Sequence, residues 1–237
     1  MNKIIRQIPN TITCLNIISG CMAIVCAARA SEPMWGLPGF QWAYIFIGVA
    51  AVADFCDGMA ARLLHAYSEL GKQLDSLCDC VSFGVAPAML LYHTLSQAGV
   101  TGILPWCSFL IPVAGALRLA RFNIDTRQTT SFIGLPIPAN AIFWIGYTSM
   151  ALSGTGVMLL PWILLPSLML ECWLMLSPLP ILSLKFQNLR WKGNEPRWIL
   201  AAATVAAVDW MGLGGLMWLI VFYVILSLLH FNRTPRR

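Results

Sequence analysis

At 237 residues, 58% hydrophobic and only 11% charged, the chain lacks the charge to cover a water-facing surface, since a soluble domain carries about a quarter charged residues. Its formal net charge of +5 comes from basic residues set between apolar runs and at the two ends, a placement that membrane topology explains and nucleic-acid binding does not. A soluble globular domain and a nucleic-acid partner are both excluded as expectations.

The apolar runs follow one another along the chain, at about 10–28, 39–59, 72–94, 99–119, 133–152 and 157–182, then a long stretch at about 197–231. The opening MNKIIRQIPNTITCLNIISGCMAIVCAA has a basic start but no convincing cleavage signal ahead of a soluble domain, so it reads as a retained first helix. The last stretch is long enough for two helices, with a turn marked by Trp210, Met211, Gly212, Gly214 and Gly215. The expected fold is an all-α integral membrane protein, a polytopic helical bundle of eight transmembrane helices, with seven as the competing count, forming a single membrane-embedded domain over 1–237. Pro87, Pro112, Pro161, Pro166 and Pro178 fall in or near these runs, so bent helices around a cavity are expected. The eight cysteines are scattered in or beside apolar segments and read as small buried hydrophobes; Cys78 and Cys80 do not have CxxC spacing.

Charge placement fits an even number of spans. With the N-terminus in the cytoplasm, that side receives Lys3 and Arg6, then Arg62 and Lys72, then Arg118, Arg121 and Arg127. Lys185, Arg190, Lys192 and Arg197 come next, and finally Arg233, Arg236 and Arg237. The opposite side receives Arg29 alone. By the positive-inside rule both termini and the acidic and arginine clusters face the cytoplasm.

Four of the ten acidic residues, Asp54, Asp57, Asp75 and Asp79, lie in one stretch that covers the end of the second run and the start of the third. Asp54 and Asp57 are i,i+3, and Asp75 and Asp79 are i,i+4, so each pair shares a helix face. A short connection makes the two helices neighbours, and the four carboxylates can converge. Unpaired they repel one another, and a divalent cation relieves this. Oxygen-only ligands suit Mg²⁺ or Mn²⁺. Gly58, Ala61 and Gly71 stand one turn from these acids and leave room for a bulky polar ligand, while Arg62 offers a fixed charge suited to phosphate. Two other readings of the acids stand beside this one: ion pairs that stabilise helix packing, and the vestibule of a cation transporter.

The residues form D-x2-D-G-x2-A-R-x8-G-x3-D-x3-D from Asp54 to Asp79. This pattern resembles the signature of the CDP-alcohol phosphatidyltransferase family, with every fixed position present. The resemblance implies a six-helix core to which the last two spans are an addition, and cleavage of a CDP-linked lipid by divalent metals. It implies metal ligation by Asp54, Asp57, Asp75 and Asp79, with Asp79 acting as or orienting the general base. Gly58, Ala61, Arg62, Gly71 and Asp75 would border CDP-diacylglycerol. A homodimer in the inner (plasma) membrane is implied as well. The lipid tails need a lateral entrance from the bilayer, because exposing them to water is strongly unfavourable.

A second cluster, GALRLARFNIDTRQTTSFIGLPIPAN, holds Arg118 and Arg121 at i,i+3, followed by Asn123 and Arg127. These arginines satisfy the positive-inside rule, and as a group they also suggest an anion site. RLARFN followed by FIGLPIP resembles the phosphatidylserine synthase branch. That resemblance implies L-serine as acceptor, its carboxylate or a lipid phosphate met by Arg118 and Arg121, Asn123 shaping the pocket, and phosphatidylserine and CMP as products. The arginines alone do not choose serine: glycerol 3-phosphate, the acceptor of phosphatidylglycerol-phosphate synthase, also needs positive charge. A non-enzymatic lipid or ion transporter is the reading from another class.

Overall fold

Small residues set the first helix contact. α1 (Ile8–Ala28) buries Gly20, Ala23, Cys26 and Ala27, and α2 (Gly39–Leu63) buries Gly39, Ala43, Ile47, Ala50, Ala53 and Asp57. The α2 positions recur every three or four residues, which is one stripe of a helix. Apolar helices in lipid gain nothing by leaving it, so they associate through close backbone approach at small residues. A Cβ on Gly39 would come within 2.2 Å of the Arg29 carbonyl oxygen, so the approach requires glycine there. The buried stripe ends at Asp57, and the α1–α2 contact thereby takes an acid into the protein interior.

The computed structural model describes residues 7–124, 132–154, 156–182 and 194–233. Lys3, Arg6, Arg127, Lys185, Arg190, Lys192, Arg236 and Arg237, all counted toward the cytoplasmic side, lie outside the described residues, as does the side chain of Arg233.

The chain reverses after α2 in five residues. The amide of His65 donates to Arg62 O and that of Ala66 to Ala61 O, and His65 takes φ +48°. This is the hydrogen-bond pattern of a left-handed helix stop, here without glycine. Ser68 then caps α3 (Glu69–Asp79), its Oγ accepting from the Gly71 amide at 3.0 Å. After Asp79 the helix widens into a π turn, Cys80–Val85, where Ala86 N–H donates to Val81 O, and continues as α4 (Ala86–Gln97). The wide turn stands immediately before Pro87, which has no N–H for the regular ladder. A 3-10 turn, Pro105–Phe109, leads into α5 (Leu110–Ile124). Lys72 Nζ donates to the Asn123 carbonyl at 2.8 Å, and the Asn123 amide donates to Ser76 Oγ at 2.9 Å, tying the end of α5 to α3.

The chain forms two compact units, Met1–Ile124 and Asp125–Arg237. In the second, α6 (Ile137–Leu152) is buried along most of its length and packs on α9 (Gly215–Arg233). α7 (Pro161–Leu176) and α8 (Glu195–Met211) complete the unit. A two-residue antiparallel pair, Phe132↔Ile181 and Ile133↔Pro180, joins the segment before α6 to the one after α7. Tyr223 Oη donates to Leu182 O at 2.6 Å, and Ser227 Oγ accepts from Leu182 N at 3.2 Å. A Cβ on Gly146 would stand 2.2 Å from the Met217 nitrogen. Gly146→Ala is therefore expected to lower the unfolding temperature in detergent, by the equivalent of about 1–3 kcal/mol. Gly48→Ala, whose Cβ would meet nothing within 4 Å, serves as the control. Equal unfolding temperatures for the two variants would contradict the close α6–α9 crossing.

Among the described residues the fold is all-α apart from two-residue strand pairs, but the expectation of eight spans is corrected. Among the described residues five helical stretches are long and apolar enough to cross a membrane: Ile8–Ala28, Gly39–Leu63, Glu69–Gln97, Pro105–Ile124 and Glu195–Phe231. The fifth and sixth apolar runs give helices of only 16 residues, α6 and α7. At 1.5 Å per residue such a helix falls short of a hydrocarbon core about 30 Å thick. The ends of both runs are used otherwise: Ile133, Pro180 and Ile181 enter the strand pair, and Pro136 precedes α6 in extended conformation. The final run does fold as two helices with a turn at its glycines: α8 and α9 part at Gly212 (φ +58°) and the 3-10 turn Gly212–Gly214 and pack against each other, together forming the apolar stretch Glu195–Phe231.

Candidate functional site

Asp54 and Asp57 project from the C-terminal part of α2, and Asp75 projects from α3 after the tight reversal at His65. One carboxylate oxygen from each of the three lies within 4.8 Å of the others. Asp75 is in hydrogen-bond contact with Asp54, and two carboxyl groups meet in that way only with a proton or a cation to relieve their repulsion. Asp57 is 6% exposed, and its Oδ2 has no hydrogen-bond partner. A buried, unpartnered carboxylate oxygen carries a full desolvation penalty. Three convergent hard oxygens with such an orphan fit a divalent cation of the Mg²⁺ class rather than a soft metal.

The acids stand at the wall of a cavity of about 560 Å³. Gly58, Ala61, Gly71 and Asp75, all expected at a nucleotide-lipid site, line it with Asp54 and Asp57. A Cβ on Gly58 would meet nothing within 4 Å, so the missing side chain leaves open space in the cavity. Gly71 is different: its Cβ would sit 3.0 Å from both Asn10 Oδ1 and Ser68 Oγ, so glycine there lets α3 approach α1. Arg62 is exposed at the end of α2 and is not part of the lining.

Asp79 lies one turn further along α3 and is 7% exposed. It interacts electrostatically with Asp54, Asp75 and Asp57 but is not among the three carboxylates that converge. Its Oδ1 accepts from Asn16 Nδ2 at 3.1 Å. The arginine cluster is also set apart from the cavity lining. Arg118 is 8% exposed, with its guanidinium 6.0 Å from the centre of the Phe122 ring. Arg121 is exposed, and Asn123 ties α5 to α3 through Lys72 and Ser76.

The sequence reading missed the contribution of α1. Pro9, Asn10 and Thr13 also line the cavity, and Thr13 lies beside the Asp57 carboxylate. The signal was present: Asn10, Thr13, Asn16 and Ser19 recur every third residue, a polar edge on an apolar helix. Tyr67, Ser68 and Lys72 border the cavity from the α2–α3 reversal and the first turn of α3.

The sequence model of the family described as CDP-alcohol phosphatidyltransferase matches residues 6–182. Similar proteins include the CDP-diacylglycerol–serine O-phosphatidyltransferase of Bacillus subtilis (strain 168), 41% identical over 134 residues, or 56% of this chain and 70% of that protein. The protein of the same name from Mycobacterium leprae (strain TN) is 36% identical over 169 residues, covering 68% of this chain and 53% of the relative. That of Methanocaldococcus jannaschii is 40% identical over 148 residues, covering 62% of each. The matches thus span less than two thirds of the length of the latter two relatives.

Proposed function

Since the chain belongs to the CDP-alcohol phosphatidyltransferase family, we propose that it transfers the phosphatidyl group of CDP-diacylglycerol to L-serine, giving phosphatidylserine and CMP. The observation that carries the reading is the convergence of Asp54, Asp57 and Asp75 at the wall of the 560 Å³ cavity, with Gly58, Ala61 and Gly71 beside them. The names of the relatives favour serine over glycerol 3-phosphate as the acceptor.

Asp54, Asp57 and Asp75 would hold Mg²⁺ or Mn²⁺, with Asp79 completing the acidic set. A bound cation supplies Lewis-acid stabilisation of the charge that develops on the leaving group. Gly58, Ala61 and Gly71 leave the nucleotide room against α2 and α3, and Asp75 and Arg62 flank it. The serine hydroxyl oxygen forms a bond to the phosphorus that carries the diacylglycerol, the bond from that phosphorus to the CMP oxygen breaks, and the hydroxyl proton passes to Asp79. Arg118, Arg121 and Asn123 are proposed to set the acceptor side, the positive charge of the two arginines meeting the serine carboxylate and Asn123 shaping the pocket.

The reading extends to the whole chain as one catalytic domain, because the family match runs across the boundary between the two units. A multi-pass membrane protein follows from the long apolar helices. An inner-membrane location with the site and both termini toward the cytoplasm is proposed from the basic residues, and a two-fold homodimer from the family.

The deciding experiment uses purified protein in detergent micelles with CDP-diacylglycerol and Mg²⁺ or Mn²⁺. CMP release that depends on L-serine, matched by phosphatidylserine and abolished by EDTA, is the expected result. Release with glycerol 3-phosphate alone would replace the acceptor and leave the acidic site standing. No metal-dependent release with either acceptor would sink the transferase reading.

A further inference from the structure

Asn16 lies in the middle of α1, fully buried at 0% exposed, and faces the end of α3. Its Nδ2 donates to Asp79 Oδ1 at 3.1 Å, while its own Oδ1 has no hydrogen-bond partner. An amide placed only to fill space would turn to satisfy both ends. This one is held in the orientation that serves the carboxylate and leaves its carbonyl oxygen unpaired.

The surrounding backbone fixes that orientation. Ser82, in the π turn that begins directly after Asp79, donates from Oγ to the Asn16 main-chain carbonyl oxygen at 3.0 Å. Ser82 can come so close because α1 carries glycine one turn later: a Cβ on Gly20 would stand 2.3 Å from Ser82 Oγ. The same short segment of α1 therefore grips the chain on both sides of the α3–π junction, through Asn16 at Asp79 and through Gly20 and Asn16 at Ser82. A π turn inserts one residue into the helix and rotates the turns beyond it. The carboxylate at such a junction needs an external anchor to keep one rotamer.

We propose that Asn16 is a positioning residue for Asp79: its amide fixes the Asp79 carboxylate so that one oxygen stays bound to α1 and the other remains available to the acidic cluster. The proposal rests on the transferase reading and adds to it a residue outside the Asp54–Asp79 signature. Asn16 does not line the cavity, so it acts through Asp79 and not on the substrate.

Asn16→Leu tests this, because leucine has nearly the same volume and can neither donate nor accept. The substitution removes the unpaired Oδ1 but also leaves Asp79 Oδ1 without this donor, so a modest fall in unfolding temperature is expected. Steady-state kinetics of serine-dependent CMP release should show kcat reduced about 10- to 100-fold, the scale of a misplaced reacting group. The KM for CDP-diacylglycerol should stay within about two-fold, because the interaction matters when the bond forms and not when the donor binds. Asn16→Gln keeps an amide on a longer arm and should recover part of the lost kcat.

Wild-type kcat in Asn16→Leu would overturn the proposal, as would a loss expressed in KM alone. A loss in both variants that tracks an equal fall in unfolding temperature would make Asn16 merely structural. Inactivity of the wild type would remove the transferase reading and this proposal with it, so the two failures are distinguishable.

Discussion

Asp57→Asn is expected to lower metal-dependent CMP release by about 10³-fold or more, which is ~4 kcal/mol of transition-state stabilisation. The folded protein should not suffer. Asp57 is buried, its Oδ2 lacks a partner, and two further carboxylates lie within 4.8 Å. Replacing it by a neutral amide relieves like-charge repulsion in a desolvated place. Without metal, then, the variant should unfold at the same temperature as the wild type or a higher one. The informative contrast comes on adding Mg²⁺. Binding to the native state alone stabilises it by about 2.7 kcal/mol at a hundredfold excess over Kd, so the wild type should gain in unfolding temperature and Asp57→Asn should not. A retained Mg²⁺ shift, or near-normal turnover, would show that the three-acid group is not the metal site. A loss of activity with a lower metal-free unfolding temperature would mark a folding defect instead.

The acidic site was legible in the sequence because helical spacing does most of the placement. Asp54 and Asp57 three residues apart on α2, and Asp75 on α3, converge because both helices pack on α1 and a five-residue reversal joins them. Gly58 and Gly71 were expected to open space, and they do so differently: Gly58 faces the cavity, whereas Gly71 admits Asn10 and Ser68. The α1 wall was harder to see. Asn10, Thr13 and Asn16 are diluted by the apolar residues between them, and a window of hydropathy averages the polar edge away. Helix ends were harder still. The fifth and sixth runs are apolar to their limits, but hydropathy does not distinguish Ile133 in a strand pair from Ile137 in a helix. That is why eight spans were expected where, among the described residues, five stretches of sufficient length are found. The arginines mark a further limit. Arg118 is basic in sequence yet buried in the fold, its guanidinium facing the Phe122 ring, and such burial depends on packing that no local pattern records.

Gly58→Leu is expected to reduce kcat/KM for CDP-diacylglycerol by about 10²-fold or more while leaving the unfolding temperature unchanged. The two halves of the expectation come from one observation. A Cβ at position 58 would meet no atom within 4 Å, and the position lines the 560 Å³ cavity beside Asp54 and Asp57. No atom stands within 4 Å of the first carbon of the new side chain, so the packing that normally penalises added volume is absent there. The space it fills is the space assigned to the donor. Mg²⁺ should still raise the unfolding temperature of this variant, since the carboxylates are untouched, and that separates it from Asp57→Asn. A bulky residue on α2 that left kcat/KM intact would place the donor elsewhere and leave the three carboxylates without their proposed substrate. A residue whose substitution spares both the fold and the cation yet blocks the lipid nucleotide would instead tie the cavity to CDP-diacylglycerol without relying on the acids at all.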